Sequence, residues 1–445
     1  MEHESKVALL NRAWDGIFEL ELPWGNLPPQ MPMSNWIETQ DIHLSTLKMQ
    51  SLRCVGFNRA GVLALRQLVK LVRANNRRYM KEVGSSVLTD KLAEELKDRW
   101  LDRGRFDRPD VKIVDKRLTD WLDSFADRRT HFIPCSILPE RASSFVIGGV
   151  RFVHLDEFDP TCHGLKTMAD DPHPLKFWMD QHGFDWIAIV QVENYETSRA
   201  KEVAEIAVDL SLAVFQVLLR DPLGRNIARA TGRTVLPIKP SLIADEQGHW
   251  TFGRKSTEGL LGATRKIFEE MLETASGDIE RMGRVIHDVH LGKAALPKLH
   301  QSWCDALFWF HEGVSEPLDT IAIAKLETAI ENLFAAESSK KSKARLLQGF
   351  NHLLGMGKSD LFDTTIPVSV GEFVDAVVTT RSRILHGTWS TLAGDDIDIE
   401  RRDVARLAQN LLLQISRALG AYSKSGATPP DNIDQFLAWL GPGKS

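Results

Sequence analysis

Apolar and polar positions recur along this chain in three regimes. Through the first 130 residues they repeat mostly at three- and four-residue intervals. AGVLALRQLVKLVRANNRRYMKEV from Ala60, TDKLAEELKDRWLDR and VDKRLTDWLDSFADR each carry one apolar stripe, so this region is expected to be mostly helical. PWGNLPPQMP, between Pro23 and Pro32, must be loop. From His131 the period shortens. HFIPCSILPE and SSFVIGGVRFVHLDEF predict strands, with Gly148-Gly149 as a hairpin turn. FDWIAIVQVEN predicts a buried strand and SRAKEVAEIAVDLSLAVFQVLLR the helix after it. TVLPIKPSLIADEQGHWTFG predicts two short strands around Asp-Glu-Gln-Gly. After about Ser256 the helical period returns, through KLHQSWCDALFWFHEG, DTIAIAKLETAIENLFAAES, KSKARLLQGFNHLLG and ERRDVARLAQNLLLQISRALGAYSK. Short connections favour an up-and-down bundle.

The expected fold class is therefore multidomain α+β. A helical N-terminal region spans 1–130, a mixed α/β domain 131–255 and a helical connector 256–295. An all-α bundle spans 296–425, and a tail 426–445 includes the short amphipathic DQFLAWL.

The helix before His386 carries the main chemical question. Ser369 followed by Glu372 is a capping box, and Gly387 suits a left-handed terminating residue, so a helix is expected over 370–386. With Val370 at 0°, Phe373, Val374, Val377, Val378, Ile384 and Leu385 form an apolar face from about 300° to 80°. Arg381 falls at about 20°, in the middle of that face, whereas Arg383 points towards solvent at roughly 220° and His386 lies off the stripe near roughly 160°. A buried guanidinium needs a carboxylate or a wet cleft. In DTIAIAKLETAIENLFAAES, the stripe is Ile323, Leu326, Ile330, Leu333 and Phe334, and Glu327 sits inside its edge as the candidate partner. A structural Arg–Glu ion pair is the plain reading. The alternative is chemical. Histidine changes protonation near neutral pH, as general acid–base work requires. Spacing alone decides little, because Arg281 to His287 and Arg284 to His290 mimic it.

These residues resemble the HEPN superfamily, most closely its Apea-like group, over roughly residues 296 to 420. The family motif is arginine, a polar residue, three further residues and histidine, which Arg381, Ser382 and His386 match in RSRILHG. Glu327 matches the acidic position of the family's ALE-like segment. The resemblance implies a helical bundle that forms a homodimer and cleaves RNA without a metal or other cofactor. His386 would act as general acid or base, Arg381 would stabilise phosphate charge, and Ser382 would orient or donate a hydrogen bond. A stress or anti-phage role, set off by a regulatory protein or a nucleotide, follows from the family alone. The alternative is a non-catalytic HEPN-like dimerisation and RNA- or nucleotide-binding module.

Composition narrows the remainder. Formal charge is −5 over 445 residues, so the chain as a whole does not attract nucleic acid. Ser51 to Thr130 nevertheless carries 19 Lys and Arg against 12 Asp and Glu. RANNRRYMK within it reads as a solvated basic helix face or an RNA contact. Cys54, Cys135, Cys162 and Cys304 make no CxxC pair, which fits a reducing cytoplasm. The start of the chain lacks a secretory signal and nothing approaches 18 uninterrupted apolar residues, so no membrane contact is expected. HLDEFDPTCHGLKTMADDPH (His154 to His173) and HDVH (His287 to His290) contain metal-capable side chains without metal-site spacing, and read as surface.

Overall fold

Contacts divide the chain into two units, Met1–Arg129 with Val192–Glu202, and Thr130–Gln191 with Val203–Ser445. The computed structural model describes residues 5–21, 48–50, 53–103, 110–125, 127–138, 140–163, 174–219, 224–225, 227–230, 238–244, 250–256, 265–335, 339–362, 368–386, 388, 400–426 and 429–441. The Pro23–Pro32 loop and Gly387 lie outside them.

The first unit holds helices α1 (Lys6–Asp15), α2 (Arg59–Asn75), α3 (Arg77–Glu82), α4 (Ser85–Arg103) and α5 (Val111–Asp123). It also holds a three-stranded antiparallel sheet, β1 (Ile17–Glu21), β2 (Lys48–Gln50) and β3 (Arg53–Phe57), in the order β1-β3-β2. That sheet adds to the mostly helical expectation. Asn58 starts α2 by accepting the Gly61 N–H through its side chain at 2.8 Å. Close approach of α1 and α2 depends on glycine: a β-carbon on Gly16 would lie 2.5 Å from the Gly61 Cα. Trp14, Phe57, Leu65, Leu68, Leu92, Leu96 and Leu118 form the core.

The second unit begins with strands β4 (Arg128–Ser136), β5 (Phe145–Ile147), β6 (Val150–His154), β7 (Trp186–Glu193) and β8 (Ala228–Arg229), and with helices α6 (Pro174–His182) and α7 (Thr197–Leu218). The first residues of β4, the end of β7 and the first turns of α7 belong to the first unit. The sheet order is β5-β6-β7-β4-β8. The β5–β6 hairpin turns through Gly148 and Gly149 at φ +59° and +85°, conformations that glycine adopts without penalty. Strands β9 (Ile238–Ala244) and β10 (Trp250–Ser256) pair antiparallel, as their alternation predicts. Helix α8 (Arg265–Thr274) sends Phe268 against Phe145 and Phe215, with centroids 5.8 and 5.5 Å away.

The C-terminal helices are α9 (Ser276–Leu291), α10 (Pro297–Val314), α11 (Asp319–Leu333), α12 (Ser339–Leu354), α13 (Val370–Leu385), α14 (Arg401–Tyr422) and α15 (Ile433–Trp439). Helix α11 touches α10, α13 and α14, which is why Ala322, Ala324, Leu326, Ala329 and Ile330 are buried around most of its circumference. The Trp303 indole donates to the Leu412 carbonyl at 2.9 Å and fixes α10 against α14. The tail is part of this assembly. Asp431 accepts the Lys298 and Leu299 N–H groups at the start of α10, and Phe436 of α15 packs on Tyr422.

The mixed region and the C-terminal helices share this second unit, and α7 shows why. Residues 207 to 217 of α7 are buried without interruption. Phe215 meets Phe145 of the sheet edge-on at 5.1 Å. One residue on, the Gln216 side-chain oxygen faces His311 Nδ1 of α10 at 2.8 Å, and the Gln409 amide of α14 donates to the Gln216 and Leu219 carbonyls at 2.6 and 2.8 Å. Asp209 receives both bonds of the Arg229 Nε–H, at 2.9 and 3.0 Å, and lies 3.7 Å from His311 Nε2. Burial holds the His311 imidazole below its ordinary range and raises the Asp209 carboxyl. Sheet, α7 and bundle therefore share one buried polar joint.

Candidate functional site

The site is built from two neighbouring helices, α11 and α13. The expected capping box is present at the start of α13. Ser369 Oγ accepts the Glu372 N–H at 3.2 Å, and the Glu372 carboxylate accepts the Ser369 N–H at 2.9 Å. Phe373, Val374, Val377, Val378 and Ile384 are buried, as their shared face requires. Leu385 departs from that face and is 61% exposed. The helix closes at Leu385, one residue short of the expected end, and His386 is its C-cap.

Arg381 sits between two carboxylates of α11. Its Nε lies 3.2 Å from Glu327 Oε2, and its terminal nitrogen NH1 lies 2.9 Å from Glu331 Oε2. The proximity of Glu327 was legible in the sequence, though not its neutral state. The pairing with Glu331 was missed, although Glu331 follows Glu327 by four residues and so shares its helix side. Glu327 is 1% exposed, Glu331 11% and Arg381 27%. The guanidinium thus faces the bundle on one edge and water on the other.

Two acids facing one cation cannot both be charged at low cost. The Arg381 Nε–H is not aimed at Glu327 despite its proximity, and neither Glu327 oxygen accepts a hydrogen bond. Burial, reinforced by the charge of Glu331, outweighs Arg381 and pushes the Glu327 carboxyl up to about 9. Glu327 is therefore a neutral acid at pH 7, with a proton to offer Glu331. Arg381 and Glu331 form the charged pair, and Glu327 supports it from within.

This assignment has a sign that can be measured. A carboxyl raised from 4.5 to about 9 binds its proton more tightly in the folded state. The resulting stability is fully present below pH 4.5 and is lost as pH rises towards 9. Glu327→Gln keeps the neutral shape and removes this titration. We expect it to flatten the alkaline loss of stability, by as much as about 1.4 kcal/mol per pH unit. Urea unfolding of wild type and variant at pH 6 and pH 9 checks this. A variant equally destabilised at both values would mean that Glu327 is ionised.

Ser382 and His386 complete the group of expected site residues. The His386 N–H donates to the Ser382 carbonyl at 3.0 Å, so the two residues stand one turn apart on the same side of the last turn. Ser382 is half-buried and His386 exposed. Among the described residues, neither side chain is hydrogen-bonded. Arg381 is their sequence neighbour on the adjacent face. The structure thus joins Arg381 to Glu327 and Glu331, and leaves Ser382 and His386 open to solvent at the helix end. No protein-family model, curated protein or solved structure matches this chain.

The decoy pairs have other partners. Arg284 pairs with Glu280 on the surface of α9, and Arg281 with Asp278. Asp278 also takes a two-pronged contact from Arg417 of α14, at 3.0 and 2.6 Å. Of the His154–His173 stretch, residues 164–173 lie outside the described residues. Among the described residues, no group of three His, Cys, Asp or Glu side chains could hold a metal ion, and no helix is long and apolar enough to cross a membrane.

Proposed function

We propose that this protein is a metal-independent endoribonuclease of the HEPN type, with Arg381, Ser382 and His386 as its working residues. The observation that carries the reading is the division of labour at the end of α13. A partly exposed guanidinium lies against two α11 carboxyls, while the Ser382 hydroxyl and the exposed His386 imidazole follow one and five residues further on, neither hydrogen-bonded among the described residues. In the proposed reaction the ribose 2′-hydroxyl attacks the adjacent phosphorus and the bond to the 5′-oxygen breaks. A base removes the 2′ proton and an acid protonates the departing 5′-oxygen, and His386 fills one of these roles. Arg381 stabilises the charge that develops on the non-bridging oxygens, for which its planar fork of donors is suited. Products carry 2′,3′-cyclic phosphate and 5′-hydroxyl ends. DNA lacks the attacking hydroxyl and is not cut. A homodimer that faces two α13 ends would supply two such sets to one cleft, with the exposed Leu385 at the contact.

The test is cleavage of single-stranded and structured RNA by the full chain in EDTA, with His386→Ala alongside. Cleavage by wild type, absent in the variant, supports the reading. Cleavage that needs a divalent metal, or that survives the substitution, sinks it.

A second reading is favoured by the carboxyl contacts themselves. Arg381 already has two carboxyl neighbours, which a purely structural tie would also have. The bundle would then be a non-catalytic dimerisation and RNA- or nucleotide-binding module. It requires that His386→Ala alter no activity of the protein.

A further inference from the structure

The first unit carries a strongly uneven surface that the nuclease reading does not use. From Arg59 to Lys81 the chain contains seven Lys and Arg and no Asp or Glu; the first acid is Glu82. In a protein of net charge −5, such a run gathers positive potential locally. Helix α2 sorts it onto one side. Its apolar face, with Leu65, Leu68, Val69 and Val72, is buried in the core. At about 100° per residue, Arg66, Lys70 and Arg73 fall within roughly 60° of one another on the opposite face. Arg77 continues the run at the start of α3, and the Arg73 guanidinium ties the two helices by donating to the Met80 carbonyl at 3.0 Å.

These cations differ from an ordinary solvated helix face, where acids interleave and pair with them. Arg78, next door, is consumed in this way by Glu82 and Asp123. Arg66, Lys70 and Arg77 are exposed and, among the described residues, take part in no hydrogen bond or ion pair. Arg66 to Arg73 spans about 10 Å at helical rise, and Arg77 follows beyond the extended residue Asn76.

We infer that the Arg66–Lys70–Arg73–Arg77 face is a docking track for the phosphodiester backbone of a single-stranded nucleic acid. A membrane fits it less well. The apolar side of α2 is already buried in the protein, and Leu63 is the exposed large apolar residue of this helix, too little to enter a bilayer. The track offers point charges rather than aromatic platforms, so it grips phosphates without reading bases. RNA and DNA of one sequence should bind it within a few-fold of each other. The inference goes beyond the nuclease reading and does not depend on His386 being catalytic.

The test uses the full chain carrying His386→Ala, so that substrate survives, and a fluorescent 20-nucleotide RNA together with its DNA counterpart. The substitutions Arg66→Glu, Lys70→Glu and Arg77→Glu are made together; a Gln triple serves if the Glu triple fails to fold by circular dichroism. Lys112→Glu, Lys116→Glu and Lys424→Glu form a control of equal charge change at other exposed sites. We expect binding of both strands to weaken about tenfold or more in the track triple. The log–log salt slope should fall by about 2, the amount lost with three phosphate contacts on a single strand. The control should retain most of the affinity. Unchanged binding in the track triple, or equal weakening in the control, overturns the inference. So does track-dependent binding to phosphatidylserine vesicles in place of the oligonucleotides.

Discussion

His386→Ala is expected to lower RNA cleavage by about 10²- to 10⁴-fold, the usual contribution of a positioned acid or base, while leaving stability within about 0.5 kcal/mol. The small stability term follows from structure. His386 is exposed beyond the last turn of α13, and its imidazole makes no hydrogen bond among the described residues. Nothing in the core is opened by its removal. The large activity term follows from the proposed chemistry, because no other side chain of the proposed set exchanges a proton near neutral pH. Steady-state cleavage of a fluorogenic RNA and urea unfolding measure the two terms separately. A loss of activity matched by a loss of fold would show that the residue is structural after all.

Arg381→Ala should do both kinds of damage. Removing the guanidinium leaves the Glu331 carboxylate, only 11% exposed, beside Glu327 without a cation, and should cost about 3 kcal/mol. It also removes the group proposed to stabilise phosphate charge, so cleavage should fall by about 10²- to 10³-fold. The effects can be separated. Adding Glu331→Gln to Arg381→Ala removes the stranded charge, and should restore most of the stability without restoring cleavage. Recovery of cleavage in the double variant would assign Arg381 to architecture alone.

Much of this site could be read from residue order because its determinants are local. The capping box needs only Ser369 and Glu372, and it fixed the phase of α13. That phase placed Arg381 on the covered face and His386 off it, and the structure agrees on both. Leu385 failed because a helical wheel treats every turn as equally covered. Cover gives out within the last turn of α13: Ile384 is still buried, but Leu385, also in phase with the core, meets water. Glu331 carries no such signal, because it lies outside the apolar stripe that marks Glu327. A long arginine can span two acids a turn apart. The β1-β3-β2 sheet was missed for a different reason. Lys48–Gln50 is three residues long, too short for a two-residue period to register, and its pairing with β3 is a tertiary fact. The same holds for α7. Its apolar run predicted burial but not which elements would cover each side.

That last helix has a consequence for how the molecule can be divided. Because Phe215 answers to the sheet while Gln216 answers to α10 and α14, a fragment beginning at residue 296 would leave behind the carbonyls that Gln409 holds and the partner that His311 requires. The second unit should consequently melt in a single cooperative step, and its C-terminal helices are not a cassette that can be excised intact. Anything that displaces the sheet reaches the C-terminal helices through the packing they share with it on α7.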